Sequence, residues 1–269
     1  MLTFFEKVLY LYHLVVLLQL EREVAPSLYL FFSHFSMFDL KLARKVMMLS
    51  SGAISLLFLL MAPKALAAII TVNTFNDTGV VNDGVCSLRE AIIAANLDTS
   101  VVGLTSTNCT AGSGADVINL PGSLGSLTHY NLSTGAGFGE LSIATNITIN
   151  GTKTFLTSYP IVDGQDATRV FNVQSNGTLL LQNVSLTEGF SSTDGGAIFN
   201  AGVLTLSDNV ALFGNNAFGN GGAIFNQGSL VSVTNSSFTS NTADADGNLS
   251  GNGGAIFNST TGIITNIDH

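Results

Sequence analysis

The chain has 269 residues, 46% of them apolar, and eighteen Asp and Glu against nine Lys and Arg. It is long enough for a buried core, and its acidity argues against a nucleic-acid partner, because binding phosphate needs cations that displace counterions. The charge is also unevenly shared. Residues 1–67 hold six of the nine cations, whereas 68–269 keep Arg89, Lys153 and Arg169 against fourteen acids, a balance that suits a soluble extracellular body.

Residues 1–36 contain an apolar run, Val8–Leu20, interrupted by His13 and Gln19, and resemble nothing that follows. They are expected to be an extension from a misassigned start, with a second membrane segment as the alternative. Residues 37–67 have the layout of a secretory signal peptide. Lys41, Arg44 and Lys45 form a basic region, Ala53–Met61 an apolar run, and Ala65-Leu66-Ala67 a small-x-small cleavage motif, so the cut is expected before Ala68. An uncleaved anchor is the alternative, but the apolar run is shorter than the roughly 20 residues of a spanning helix.

Residues 68–140 are expected to form an N-terminal cap and the first strands. Ile69–Val72 is a short strand pattern, and Ser87 to Asn96 predicts a helix. Ser87 and Glu90 have capping-box spacing, and Leu88, Ala91, Ile92 and Ala95 make one apolar stripe. Asn96 can end the helix in the left-handed conformation. Such a helix, standing before a strand array, can cover an exposed sheet edge. Cys86 and Cys109 are the only cysteines, and an even count in an exported chain favours a disulfide.

Residues 141–269 change texture. Short β-prone segments bounded by Gly, Asn or Asp recur at 147–149, 170–173, 179–181, 203–206 and 230–233, and Pro is absent after Pro160. Gly-Gly-Ala-Ile-Phe-Asn occurs at 195–200, 221–226 and 253–258, at offsets of 26 and 32. A period of this size marks a stack of small units. After each copy comes a glycine, Gly202, Gly228 or Gly262, expected to supply a positive φ at a corner. A Phe-x-x-Asn follows twice, as Phe213…Asn216 and Phe238…Asn241.

Strands this short cannot bury a face alone, so coil must stack on coil about 4.8 Å apart. The expected core of the repeat is Ile198, Phe199, Ile224, Phe225, Ile256 and Phe257, with Asn side chains bonding along the stack. The predicted fold is all-β: a right-handed parallel β-helix with a short N-terminal capping helix (Ser87, Leu88, Glu90, Ile92), preceded by a signal peptide. A propeller is the alternative, but its blades need about 40 residues each.

Cys86–Asn96 resembles the N-terminal motif of the CSLREA-type family of exported bacterial β-helix proteins. Asp116–Pro121, Ile147–Gly151, Val162–Gly164 and Arg169–Val173 fit the same pattern. The hexapeptides are similar to repeats of chlamydial polymorphic outer-membrane proteins. The resemblance implies a surface or secreted protein, often an adhesin or autotransporter passenger. Such proteins continue into further coils and an anchor, so the sequence reads as a fragment or truncated gene, reaching a membrane only through targeting or a missing C-terminal anchor.

Parallel β-helices also include polysaccharide lyases and glycoside hydrolases, the alternative function. Asp163, Asp166 and Arg169 are the one cluster suggesting such chemistry; a solvated corner with a local salt bridge is the plainer reading. Asp244-Ala-Asp246-Gly-Asn248 has the alternating oxygens of a calcium loop but lacks the bidentate Glu, so at most weak Ca²⁺ binding is expected. No other cofactor and no catalytic residue is expected. The predicted partners are a host-cell or matrix surface, or carbohydrate.

Overall fold

The computed structural model describes residues 67–77, 79, 83–98, 108–122, 129–135, 138–153, 159–248 and 250–268. The extension 1–36 and the proposed signal peptide up to Leu66 lie outside the described residues.

Every pairing between strands is parallel and joins positions one coil apart. One stack contains β1 (Ile69–Thr71), β2 (Asp116–Pro121), β5 (Asn146–Thr152), β8 (Thr178–Gln182), β12 (Val203–Ser207), β16 (Ser229–Thr234) and β19 (Ile263–Ile264), with β20 (Ile267–Asp268) also on β16. A second contains β4 (Leu141–Ile143), β7 (Phe171–Val173), β11 (Ile198–Asn200), β15 (Ile224–Asn226) and β18 (Ile256–Asn258). A third contains β3 (His129–Asn131), β6 (Ile161–Asp163), β9 (Ser185–Thr187), β13 (Val210–Phe213) and β17 (Ser236–Thr239). A short corner pair, β10 (Phe190–Ser191) and β14 (Asn216–Ala217), completes a parallel β-solenoid of about five turns.

The core follows from the two-residue period of a strand. In the first stack Ile147 sits on Leu179 and Leu204, and Ile149 on Leu181 and Leu206, all fully buried. In the third stack Tyr130, Val162, Leu186 and Leu212 align inward in the same way. The register slips once, between Leu204 and Thr205, where β16 carries an extra residue and leaves Val231 exposed.

Each residue of the hexapeptide has a distinct task. The first glycine (Gly195, Gly221, Gly253) has φ near +67°, +66° and +70°, a conformation that penalises any Cβ. The second lacks room: a Cβ at Gly196 would fall 2.3 Å from the Gly222 carbonyl oxygen of the next coil. Ala197 and Ala223 are fully buried, and Ile198, Ile224 and Ile256 stack in register, the first two fully buried and the third half-buried.

The phenylalanines correct the expected core. Phe199, Phe225 and Phe257 follow an inward isoleucine, so strand alternation turns them outward, where they are half-buried. There they form a ladder with centroids 5.3 and 5.5 Å apart and planes within 15°. The asparagine takes the next inward position, and Asn200 and Asn226 are fully buried. Asn200 Nδ2 donates to Asn226 Oδ1 at 2.7 Å, and Asn226 Nδ2 to Asn258 Oδ1 at 2.6 Å.

Two further expectations about the repeat change. Gly202, Gly228 and Gly262 do not adopt positive φ; they are glycine because a Cβ would strike a carbonyl of the coil below, 2.2 Å away at Gly202 and Gly228. Phe213 is not the counterpart of Phe238. Leu212 pairs with Phe238 and Phe213 with Thr239, so the equivalent motifs are Leu212…Asn215 and Phe238…Asn241. Phe213 faces outward at 51% exposure, while Asn215 is buried and donates through Nδ2 to Asn241 Oδ1 at 2.9 Å.

The single described helix, α1 (Leu88–Leu97), has the capping box: Glu90 N–H donates to Ser87 Oγ, and Ser87 N–H to Glu90 Oε2. Leu88, Ala91, Ile92 and Ala95 are buried, and the helix packs on β1, β2, β4 and β5, covering the apolar interior at that end. Asp98, at φ 49°, ends the helix in place of Asn96. Asn96 instead clamps the helix to the coil, donating to Ser142 O and accepting from Ala144 N–H, both at 2.8 Å. Cys86 and Cys109 are joined, with Cα atoms 4.9 Å apart, which ties the helix start to the segment before β2. Arg89 pairs through Nε and Nη2 with both Asp77 oxygens at 2.8 and 2.7 Å, and both side chains are over nine-tenths buried.

Candidate functional site

Asp163, at the end of β6, is only 4% exposed and leads into a turn in which Ala167 N–H and Thr168 N–H donate to Gly164 O. Gln165 N–H donates to Asp163 Oδ1 at 2.7 Å, and His129 Nδ1 lies 3.3 Å from Oδ2. Gln165 and Asp166 take φ values of 58° and 49°, and Asp166 N–H donates to the Glu188 carbonyl at 2.7 Å. This corner therefore gathers Asp163, Asp166 and Glu188 beside His129. The Asp163 charge, then desolvation and the Asp166 charge, raise the exposed Glu188 carboxyl above its ordinary range, with His129 opposing them.

Arg169 does not join this corner. Its Nε donates to Gly195 O at 2.8 Å, Nη2 to Ser191 Oγ and Asp194 O at 2.8 Å, and Nη1 to the Glu140 carboxylate. Its guanidinium also lies over Phe199, 5.4 Å from the ring centroid. These partners lie in the next coil or on Glu140, so Arg169 acts as a strut that fixes the first hexapeptide turn and seats one end of the phenylalanine ladder. The sequence placed three charges together; the structure keeps the two aspartates and withdraws the cation. Glu188 and His129 come from neighbouring coils and become visible only when the strands are in register.

Asp244 and Asp246 lie in the loop after β17. Asp246 accepts from Asn248 N–H at 3.3 Å and from Asn248 Nδ2 at 2.7 Å, and Asp244 N–H bonds Gly219 O at 3.2 Å. Among the described residues, no group of three or more His, Cys, Asp or Glu is placed to hold a metal ion.

A shallow groove of about 390 Å³ runs along the outer face of the third stack, lined by Tyr159, Ser185, Asn209, Ala211, Asn235 and Ser237 among others. Ser185, Ala211 and Ser237 share one register position, and their small side chains leave the trough open. Beside the groove, Lys153 Nζ stands over the Tyr159 ring, 4.3 Å from its centroid. Apart from this, burial holds the Tyr130 phenol well above its usual range, and its hydroxyl donates to Pro121 O at 2.6 Å, inside the stack and away from the groove.

The class defined by this architecture is a parallel β-solenoid whose polar inner and corner residues are largely used along the stack. The family model described as Chlamydia polymorphic membrane protein (Chlamydia_PMP) repeat matches residues 235–259. That stretch runs from the corner at Asn235 through β17 and the loop to the third hexapeptide. Neither the curated proteins nor the solved structures compared with the chain yield a match. Among the described residues, no helix is long and apolar enough to cross a membrane.

Proposed function

We propose that the chain is an exported, surface-presented, non-enzymatic protein whose right-handed solenoid displays an elongated face for contact with a host-cell or matrix surface or with carbohydrate. The observation that carries this reading is the match of 235–259 to the chlamydial polymorphic membrane protein repeat, which takes in β17, the loop after it and the third hexapeptide at β18. An adhesin or autotransporter passenger uses shape rather than reactive groups, and Arg169, the cation nearest the acidic corner in sequence, is committed to holding the coil. The signal peptide at 37–67 and the affinity to the CSLREA-type proteins belong to the same proposal.

The test is to produce the chain in a Gram-negative host, treat intact cells with an added protease, and incubate the recovered protein with cultured cells and a glycan array. Surface exposure with saturable binding and no polysaccharide turnover is expected. Hydrolysis of a polysaccharide that disappears in Asp163→Asn or Asp166→Asn would replace this reading with the carbohydrate-active one.

A further inference from the structure

Asp116 opens β2 and is 1% exposed. Its Oδ1 accepts from the backbone N–H groups of Ala68 at 3.0 Å and Ser113 at 2.8 Å, whereas Oδ2 has no hydrogen-bond partner among the described residues. Among the described residues a countercharge is also lacking. Of the three cations in 68–269, Arg89 is held by Asp77, Arg169 by Glu140, and Lys153 lies against Tyr159. A buried carboxylate with one idle oxygen and no cation is costly, and folded proteins rarely leave one.

The nitrogen against Asp116 belongs to Ala68, the residue that directly follows Ala65-Leu66-Ala67. In the unbroken chain that nitrogen is an amide with one neutral donor. Hydrolysis of the Ala67–Ala68 bond would make it an ammonium with three donors and a full charge in the same place. Ala68 is already held there, since its carbonyl accepts from Val117 N–H at 2.9 Å and β1 pairs in register with β2.

We propose that the mature protein begins at Ala68 and that its α-ammonium pairs with Asp116 as a buried ion pair serving both carboxylate oxygens. The cut consumes one water: its oxygen joins the Ala67 carbonyl carbon to give a carboxylate, and protons pass to the released nitrogen. An endopeptidase of the signal-peptidase class supplies the catalysis. Removal of the leader thereby completes the covered end of the solenoid, because the new terminus neutralises a charge that no described cation meets. The inference rests on the export reading for the protease that makes the cut.

Residues 68–269, cut before Ala68, contain two amines, the α-amine of Ala68 and Lys153. The full chain is exported from a Gram-negative host, and its N-terminus is read by mass spectrometry. The folded protein is then treated with an acetylating reagent, with Lys153 as internal control. A start at Ala68 is expected, with its α-amine reacting at least about tenfold more slowly than in the urea-unfolded protein, the effect of a one-unit rise in amine pKa. Asp116→Asn should abolish that protection while leaving Lys153 unchanged; if this variant does not fold, the native-to-unfolded ratio of the unsubstituted protein decides. An exported chain that starts at another residue, or an α-amine equally reactive folded and unfolded, overturns the inference alone. A chain retained in the cell with the Ala67–Ala68 bond intact overturns the export reading as well.

Discussion

The lower and upper coils of the second stack solve the same problem with exchanged chemistry. In β4 and β7 the inner positions are Leu141 and Ile143, then Phe171 and Val173, with Ser142 and Asn172 outside. In β11, β15 and β18 one inner position becomes asparagine and the outer one phenylalanine, three times over. A parallel stack therefore tolerates a buried amide when the coils above and below repeat it, and an outer aromatic gains when its neighbours are aromatic too. The change falls between Val173 and Asn200. There Asn200 Oδ1, facing a valine in the coil below, is left without a hydrogen-bond partner among the described residues.

Substitutions at the two hexapeptide faces should break this comparison most strongly. Ile224→Ala empties a fully buried position and should cost about 3–4 kcal/mol. Phe225→Ala, one residue away on the outer ladder, should cost less, about 1–2 kcal/mol from lost stacking and partial burial. Denaturant unfolding measures both, and a larger loss at Phe225 would restore the inward placement that strand alternation denies.

The amide ladder comes next. Asn226 accepts from Asn200 and donates to Asn258 and to the Ile263 carbonyl, so Asn226→Leu breaks the ladder on both sides and should cost about 2–3 kcal/mol. Asn200→Leu removes an oxygen that is already idle and frees only Asn226 Oδ1 and the Ser229 carbonyl, so a smaller loss is expected. Equal unfolding midpoints for the two variants would show that the boundary is not where the register places it. At the covered end, Ser87→Ala should lower stability by about 1 kcal/mol through loss of the cap, read in the same unfolding experiment.

The smallest effect belongs to the acidic corner. Neighbouring charge raises the Glu188 pKa in the folded protein, so the native state binds more protons than the unfolded one, and stability falls as pH rises through and above the ordinary carboxylate range. Glu188→Gln should therefore slightly raise the thermal midpoint at neutral pH and leave it unchanged in acid, where the carboxyl is protonated. The gain should fade in concentrated salt, because Glu188 is exposed and its repulsion is screened.

The solenoid could be read from the sequence because its period is written in identical residues. Gly-Gly-Ala-Ile-Phe-Asn appears three times, and Ile198, Ile224 and Ile256 align as that repetition requires. The capping helix was equally visible, since capping boxes and apolar stripes are local patterns. What could not be read was the direction in which each residue points. Apolar character suggested that Phe199 lies inside, whereas the two-residue period beginning at Ile198 turns it out and brings Asn200 in. The Phe-x-x-Asn match was misled in the same way, because Phe213 and Phe238 share a residue type but not a register position. For the candidate site, proximity in sequence linked Arg169 to Asp163, while proximity in space linked Asp163 to His129, 34 residues away, a relation that no local pattern contains.

The most direct test of in-register stacking is an engineered crosslink on the outer ladder. In-register neighbours in adjacent coils stand about 4.8 Å apart, within reach of a disulfide. With Phe199→Cys and Phe225→Cys combined, mild oxidation should close an intramolecular bond in the monomer, whereas Phe199→Cys with Gln227→Cys should stay open. A bond that forms equally well in the second pair, or fails in the first, would contradict the stack.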